Sequence, residues 1–371
     1  VLTEIISGAS GARAPLEIAK HLADRGHTVT VYAYNYFEDR EMQKYLKNNG
    51  ITLITMHKPP MGKYFVVAPM YQKLKKNKHD MLYFSGTPPF FLAGLLSRTP
   101  IVRMYQGTQF DAYLERFLPG QKIPYYHQVI NKIVNALIYS IDCMSFRLST
   151  GVVAISTFAA NEGESLYHRR VFKVVYHGST ALDAHSKKPH QSPIELISVS
   201  RLTPYKGFHL IIEALKKIST KTRWRLTIVG SQPKTQYVKY LENLAPKNVR
   251  IVLNISDAEL AQIYADSDIY VSADRYLYFG LPIMEAAYFG LPAVVCNYAA
   301  AHEIVVHNKT GFVASHEIQM SEYLKKLIEQ PKLRKKIGMA AKKRVQKFSW
   351  EECAIQWEAV LFHFCGLHDR H

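Results

Sequence analysis

Three charged residues stand where chemistry on an anion could be done. Arg201 and Lys206 lie in Ser200–Gly207 (SRLTPYKG), between an apolar strand pattern, Glu195–Ser200, and a helical one, Gly207–Ile218. Arg201 falls at the carboxyl end of that strand, the rim where open α/β sheets bind ligands. Lys206 falls at the start of the helix, where a cation is disfavoured by the helix dipole unless an anion shares the site. Glu285 lies in Asp274–Val295 (DRYLYFGLPIMEAAYFGLPAVV), where two Gly-Leu-Pro tripeptides bracket a short helical pattern. Pro282 suits a first helical position and Gly290 a left-handed residue just past the helix end. Two cations and two helix N-termini suit a diphosphate.

The elements that must position these residues alternate along the whole chain. Leu2–Ser7 reads as a strand, Gly8–Ala12 as a small-residue loop, Pro15–Arg25 as a helix and His27–Tyr34 as a strand, which opens a parallel doubly wound sheet. Glu41–Asn49 reads as a helix and Ile51–Met56 as a strand. Met61–Lys78 ends in a basic helix, Met81–Ser85 is a strand, Thr87–Arg98 a helix and Ile101–Tyr105 a strand. Gly151–Ser156 and Lys173–Tyr176 complete the first set. Asp183–Pro193 (DAHSKKPHQSP) reads as a linker. A second alternating set runs from Glu195, and a last helix, Ser349–Phe364, opens with Ser349 and Glu352 at capping-box spacing.

Length agrees with two domains, since 371 residues exceed the ~250–300 at which a single core stops growing. A hydrophobic content of 48% supplies both cores. The net charge of +17 points to an anionic partner: a membrane surface, nucleic acid or phosphorylated ligands. Residues 106–150 mix aromatics (Tyr113, Phe117, Tyr125, Tyr126, Tyr139, Phe146) with Arg116, Lys122, Lys132 and Arg147. Two readings stay open there: a long loop followed by a core helix, which the pattern favours, or an amphipathic basic surface that touches a bilayer or a lipid-linked substrate. No run reaches the ~18 apolar residues of a spanning helix. Val129–Phe146 comes nearest, broken by Asn131, Lys132, Asn135 and Asp142. Cys143, Cys296, Cys353 and Cys365 lack metal-type spacing and suit a reduced, cytoplasmic protein without a signal peptide. Asp266–Asp268 matches a DxD pattern but falls between a helix and a strand, where polar turn residues are expected.

These segments resemble the retaining glycosyltransferases of family 4, with the GT-B fold. GARAPLEIAKHLADRGHTVTVY is similar to their N-terminal unit, SVSRLTPYKGFHLIIEAL to the opening of their second domain, and FGLPIMEAAYFGLPAVV with HEIVVHNKTGFVA to their donor-site segments. The resemblance implies two Rossmann-like doubly wound α/β domains facing across a cleft. These would be residues 1–185 on the acceptor side and 186–348 holding a nucleotide sugar, with a C-terminal helix in 349–371 crossing back to the first domain. It implies a hexosyltransferase that uses a UDP-sugar or GDP-sugar donor, retains anomeric configuration and needs no metal or other cofactor. A lipid-linked or envelope-glycan acceptor is expected, with peripheral contact to an anionic membrane on its cytoplasmic face. By the resemblance Arg201 and Lys206 neutralise the leaving diphosphate and Glu285 accepts from the ribose hydroxyls. The donor-binding set is Gly11, Ala12, Gly230, Leu253, Gly280, Leu281, Pro282 and Glu285; Arg13, Gln106 and His177 fall on the acceptor side. The chain departs from the pattern at Leu277, where the family carries a first donor-site Glu, with Asp274 or Asp268 as substitutes, and at Gln106, where a His is common. Those departures keep a nucleotide-binding protein with lost transfer as an alternative; a transferase acting on protein or nucleic acid is another, although no base-reading motif favours nucleic acid.

Overall fold

The computed structural model describes residues 1–5, 10–34, 40–56, 67–85, 88–108, 110–179, 193–230 and 235–366. The chain divides into two compact units. One comprises Val1–Thr108, Asn135–Gly178 and Ser349–His371; the other comprises Gln109–Val134 and Ser179–Phe348. Residues 109–134 therefore group with the second unit, although sequence order assigns them to the first domain. The expected linker falls almost wholly in 180–192, outside the described residues.

In the first unit the strands are β1 (Leu2–Ile5), β2 (Thr30–Tyr34), β3 (Thr52–Met56), β4 (Leu82–Ser85), β5 (Ile101–Tyr105), β6 (Gly151–Ala154) and β7 (Lys173–Val174). They form a parallel sheet in the order β3-β2-β1-β4-β5-β6-β7. The helices are α1 (Ser10–Asp24), α2 (Arg40–Asn48), α3 (Val67–Lys76), α4 (Pro88–Leu96) and α6 (Thr157–Tyr167), while α5 (Tyr125–Leu148) is divided, with Tyr125–Val134 in the second unit and Asn135–Leu148 in the first. β4, β5 and β6 are buried along their whole length, as strands covered by helices on both faces must be. Of the expected Gly8–Ala12 loop, residues 6–9 lie outside the described residues. Gly11 and Ala12 belong to the first turns of α1, not to a loop. The expected helix within Met61–Lys78 is α3; residues 57–66 are outside the described set.

The second unit contains β8 (Ile194–Val199), β9 (Trp224–Gly230), β10 (Val249–Leu253), β11 (Ile269–Ser272), β12 (Ala293–Cys296) and β13 (Gly311–Ala314). Their parallel order is β10-β9-β8-β11-β12-β13. The order reverses between β8 and β11, which pair directly through Ile269 with Leu196 and Tyr270 with Ile197. That reversal is the switch point at which such sheets bind ligands. The helices are α7 (Phe208–Lys216), α8 (Gln236–Leu244), α9 (Asp257–Asp266), α10 (Leu281–Tyr288), α11 (Ala301–Ile304), α12 (Glu317–Glu329) and α13 (Pro331–Val345). One core joins sheet and helices through Leu196, Phe208, Ile228, Val271, Val294 and Leu324.

The last helix, α14 (Trp350–Cys365), belongs to the first unit and packs on α1. Ser349 caps it by accepting from the Glu352 N–H at 3.0 Å. Glu358 takes Arg25 at 2.5 Å and His27 at 2.7 Å, while Trp357 is buried 4.7 Å from the Tyr83 ring.

α5 is not the core helix that its apolar run favours. Its second half is anchored: Asp142 accepts from Arg103, buried on β5, at 2.6 Å, and from Thr108 and Tyr167 at 3.1 Å. Elsewhere Tyr126, Ile130, Ile133 and Leu137 are exposed at the spacing that keeps residues on one face. The expectation that nothing reaches a spanning length is also amended, because α5 is long and apolar enough to cross a membrane by length and composition. The interrupting polar residues did not end the helix. Two of them turn inward, Asn131 bonding Asp111 at 2.6 Å and Asp142 bonding Arg103, while Lys132 stays exposed.

Candidate functional site

The site forms where β8 and β11 end side by side. After β8 the chain runs through Arg201 and a short 3-10 turn, Pro204–Lys206, into α7. The turn closes on Gly207, whose φ of 70° only glycine adopts freely. A Cβ there would stand 2.5 Å from the Ala273 carbonyl oxygen, so the missing side chain lets the two strand ends approach. After β11 the chain places Asp274 opposite Lys206. The Lys206 Nζ donates to Asp274 Oδ2 at 2.5 Å, and the two side chains are only 12% and 10% exposed. Asp274 also accepts the Tyr276 N–H on Oδ1 at 3.0 Å, which orients the carboxylate. The dipole cost foreseen for Lys206 is thus offset within the protein by Asp274.

Arg201 is exposed and donates to the Tyr205 hydroxyl at 2.6 Å. Tyr205 is buried, and its ring lies 5.0 Å from Lys206 Nζ and 5.3 Å edge-on from the Tyr276 ring. Tyr276 in turn donates to the Phe110 carbonyl, fixing the short 3-10 turn Ala112–Arg116 beside the site. That turn carries Glu115. Its carboxyl lies within electrostatic range of Arg201, Lys206 and Asp274, and burial pushes it up to about 7 despite the pull of the two cations.

Gly280 caps α10 with a φ of 81°, and a Cβ there would meet Leu277 at 2.6 Å. Leu277 is buried, so the position where the resemblance implies an acid is part of the core. Leu281 is buried behind it, and the Pro282 carbonyl accepts from the Tyr264 hydroxyl at 3.3 Å. The same hydroxyl donates to Glu285 Oε2 at 3.0 Å. Glu285 and Asp274 both lie in range of the buried Tyr270 phenol, so they face one region of the unit. Gly290 has a φ of 76°, the left-handed conformation its sequence position calls for. Gly230 ends β9 under Leu202, whose side chain would meet a Cβ at 2.5 Å. Leu253 ends β10, half-buried. The second-unit residues singled out in the sequence thus gather around the switch point, with Gly230 and Leu253 at neighbouring strand ends.

The residues singled out in the first unit have partners within that unit. Arg13 pairs with Glu17 on its own helix at 3.1 Å. Gln106 donates to Ser85 Oγ at 3.0 Å. His177 is 3% exposed, lies 5.7 Å from the Trp350 ring, and is pushed down to about 3 by burial. It stays neutral at ordinary pH and serves packing with Gly178, where a Cβ would strike the Trp350 backbone. Neither proposed substitute for the acid at 277 is spare: Asp274 holds Lys206, and Asp268 accepts the Glu195 N–H at 3.0 Å, as expected for a turn residue. Among the described residues no three His, Cys, Asp or Glu converge as a metal site. Sequence reasoning missed Glu115, Tyr205 and Tyr264. Tyr205 sits inside the Arg201–Lys206 segment, which is a usable signal. Glu115 lies in the irregular stretch, where no periodicity marks it.

Comparison with known proteins identifies the family and the fold. The family described as Glycosyltransferase Family 4 matches residues 11–179, and that described as Glycosyl transferases group 1 matches residues 181–344. A glycogen synthase of Mycobacterium tuberculosis is 27% identical over 175 residues, 46% of this chain and 42% of that protein. CapM of Staphylococcus aureus, a capsular polysaccharide biosynthesis glycosyltransferase, is 29% identical over 174 residues, 44% of this chain and 45% of its own. In both cases the match spans less than half the length of the relative. Among solved structures, HepE of Anabaena, in complex with UDP and glucose, superposes with a TM-score of 0.72 at 20% identity, covering 97% of this chain and 98% of that one. With two family matches covering successive halves and the fold shared end to end, the chain belongs to glycosyltransferase family 4, with the GT-B fold.

Proposed function

We propose that the protein transfers a hexose from a nucleoside-diphosphate sugar to a lipid-linked or envelope-glycan acceptor, retaining anomeric configuration and using no metal. The observation that carries this reading is the placement of Arg201 and Lys206 at the switch point, where β8 leads into α7 and β11 into α10. The bond between the sugar C1 and the diphosphate oxygen breaks, and negative charge develops on the departing diphosphate. Arg201, Lys206 and the two helix ends take that charge, the role a metal fills elsewhere. The acceptor hydroxyl oxygen bonds C1, and its proton passes to the released diphosphate. Glu285, held by Tyr264, accepts from the ribose hydroxyls.

The UDP and glucose bound by HepE favour a UDP-sugar over a GDP-sugar. The capsular role of CapM, the net charge of +17 and the exposed apolar face of α5 favour an acceptor at an anionic membrane. Lys122 and Lys132 are exposed near that face and would meet lipid headgroups on the cytoplasmic side.

Purified protein incubated with UDP-sugars and GDP-sugars and a lipid-linked acceptor is expected to release nucleoside diphosphate with formation of glycosylated lipid. Arg201→Ala or Lys206→Ala is expected to lower kcat/KM by about a hundredfold, the scale of losing one preorganised charge donor. Turnover unchanged in both variants would refute the assignment.

A further inference from the structure

Glu115 is the charged group at the site that the proposed chemistry leaves unused. Its Oε1 is buried and accepts no hydrogen bond, although Arg201 and Lys206 lie within electrostatic range. Arg201 is turned to the Tyr205 hydroxyl and Lys206 to Asp274. A buried carboxyl oxygen left without a donor costs stability, and such a group is common where a ligand completes the bonding. The groups facing it are Arg201, Tyr205, Lys206 and Asp274 from the strand ends, with Asp111 and Arg116 flanking it on its own turn.

The chemistry of a carboxyl narrows what that ligand offers. A diphosphate presents acceptors and negative charge, so it repels Glu115 and is drawn to the two cations. The portion of a nucleotide sugar next to its diphosphate is the sugar, which presents hydroxyl donors and, as its C1–O bond breaks, a positive charge at C1. Both suit a carboxylate. Leu277 is apolar and buried, and Asp274 is committed to Lys206, so neither competes for the role.

Resting on the reading that this is a nucleotide-sugar site, we propose that the Glu115 carboxyl accepts hydrogen bonds from the hydroxyls of the transferred sugar, beside the diphosphate held by Arg201 and Lys206. Glu115 is thereby a specificity-determining residue for the donor sugar. The 3-10 turn Ala112–Arg116, pinned through Phe110 to Tyr276, is the element that presents it.

The test separates sugar from diphosphate. UDP-glucose, UDP-galactose, UDP-N-acetylglucosamine and GDP-mannose are each titrated by calorimetry against their own nucleoside diphosphate, using the full chain and Glu115→Gln. In the wild type at least one nucleotide sugar binds more tightly than its diphosphate. In Glu115→Gln that sugar-dependent gain falls tenfold or more, while the diphosphate alone binds equally or more tightly because a nearby negative charge is gone. A gain that is absent in the wild type or unchanged in Glu115→Gln overturns the proposal. Equal weakening of sugar nucleotide and diphosphate also overturns it, since that marks a general disturbance of the site. No binding of any nucleotide by the wild type is the separate failure of the underlying reading. Glu115→Asp, which keeps the charge on a shorter arm, is expected to recover part of the gain.

Discussion

The Lys206 ammonium lies 2.5 Å from the Asp274 carboxylate at the point where the strand order of the second sheet reverses. The pair does two things. It offsets the cost of placing a cation near the start of α7, and it holds Lys206 beside Arg201 at the strand ends. In the proposed reading an incoming diphosphate shares a lysine that is already oriented.

Breaking this pair from the carboxylate side leaves a mostly buried ammonium uncompensated. Asp274→Asn is expected to destabilise the protein by about 3 kcal/mol in chemical denaturation. Added UDP should raise the Tm of Asp274→Asn more than that of the wild type, because the diphosphate then supplies the missing negative charge. An equal rise in both would argue against phosphate binding at Lys206.

Gly207 tests the close approach of the two strand ends. Gly207→Ala forces a side chain into the left-handed region and places its Cβ 2.5 Å from the Ala273 oxygen. A loss of more than about 2 kcal/mol is expected, measured by equilibrium unfolding. Gly26, also left-handed at φ 92° but with nothing near its Cβ position, should show a smaller loss in the same assay.

Tyr264 holds Glu285 by a hydrogen bond to a carboxylate. Tyr264→Phe keeps the ring and its stacking 5.7 Å from Phe289 but removes the hydroxyl. Stability should fall by about 1–3 kcal/mol. The KM for the nucleotide sugar should rise while kcat changes little, as expected if Glu285 serves ribose binding.

Two buried groups tilt stability with pH in opposite senses. His177 has its folded pKa pushed down to about 3 from 6.5, so the folded state resists protonation. Its contribution is complete above pH 6.5 and falls by about 2 kcal/mol by pH 5. Glu115 has its folded pKa raised to about 7 from 4.5, so its contribution is complete below pH 4.5 and is lost as pH rises through 7. Unfolding measured from pH 5 to pH 8 should therefore lose its acid-side slope in His177→Gln and its neutral-side decline in Glu115→Gln.

The alternation of strands and helices was readable because parallel strands buried on both faces are continuous apolar runs, as in Ile269–Ser272 and Ala293–Cys296. Arg201, Lys206 and Glu285 were readable because glycines and prolines punctuate the turns that carry them. Lys206 and Asp274 could not be paired in advance, since strands distant in sequence become neighbours only through the sheet order. Glu115 was hidden for a related reason: it sits on a 3-10 turn without a periodic pattern, fixed by Tyr276 from another element. The exposed apolar face of α5 was obscured because Asn131 and Asp142 look like interruptions in an apolar run, whereas both turn inward to partners.

The central claim, that the switch point of the second sheet holds a diphosphate through Arg201 and Lys206, is tested most directly by calorimetric titration of UDP and GDP into the wild type, Arg201→Ala and Lys206→Ala. The account predicts saturable binding of one of them to the wild type, weakened at least tenfold in each variant. Equal affinity in all three proteins, or no binding to the wild type, would contradict it.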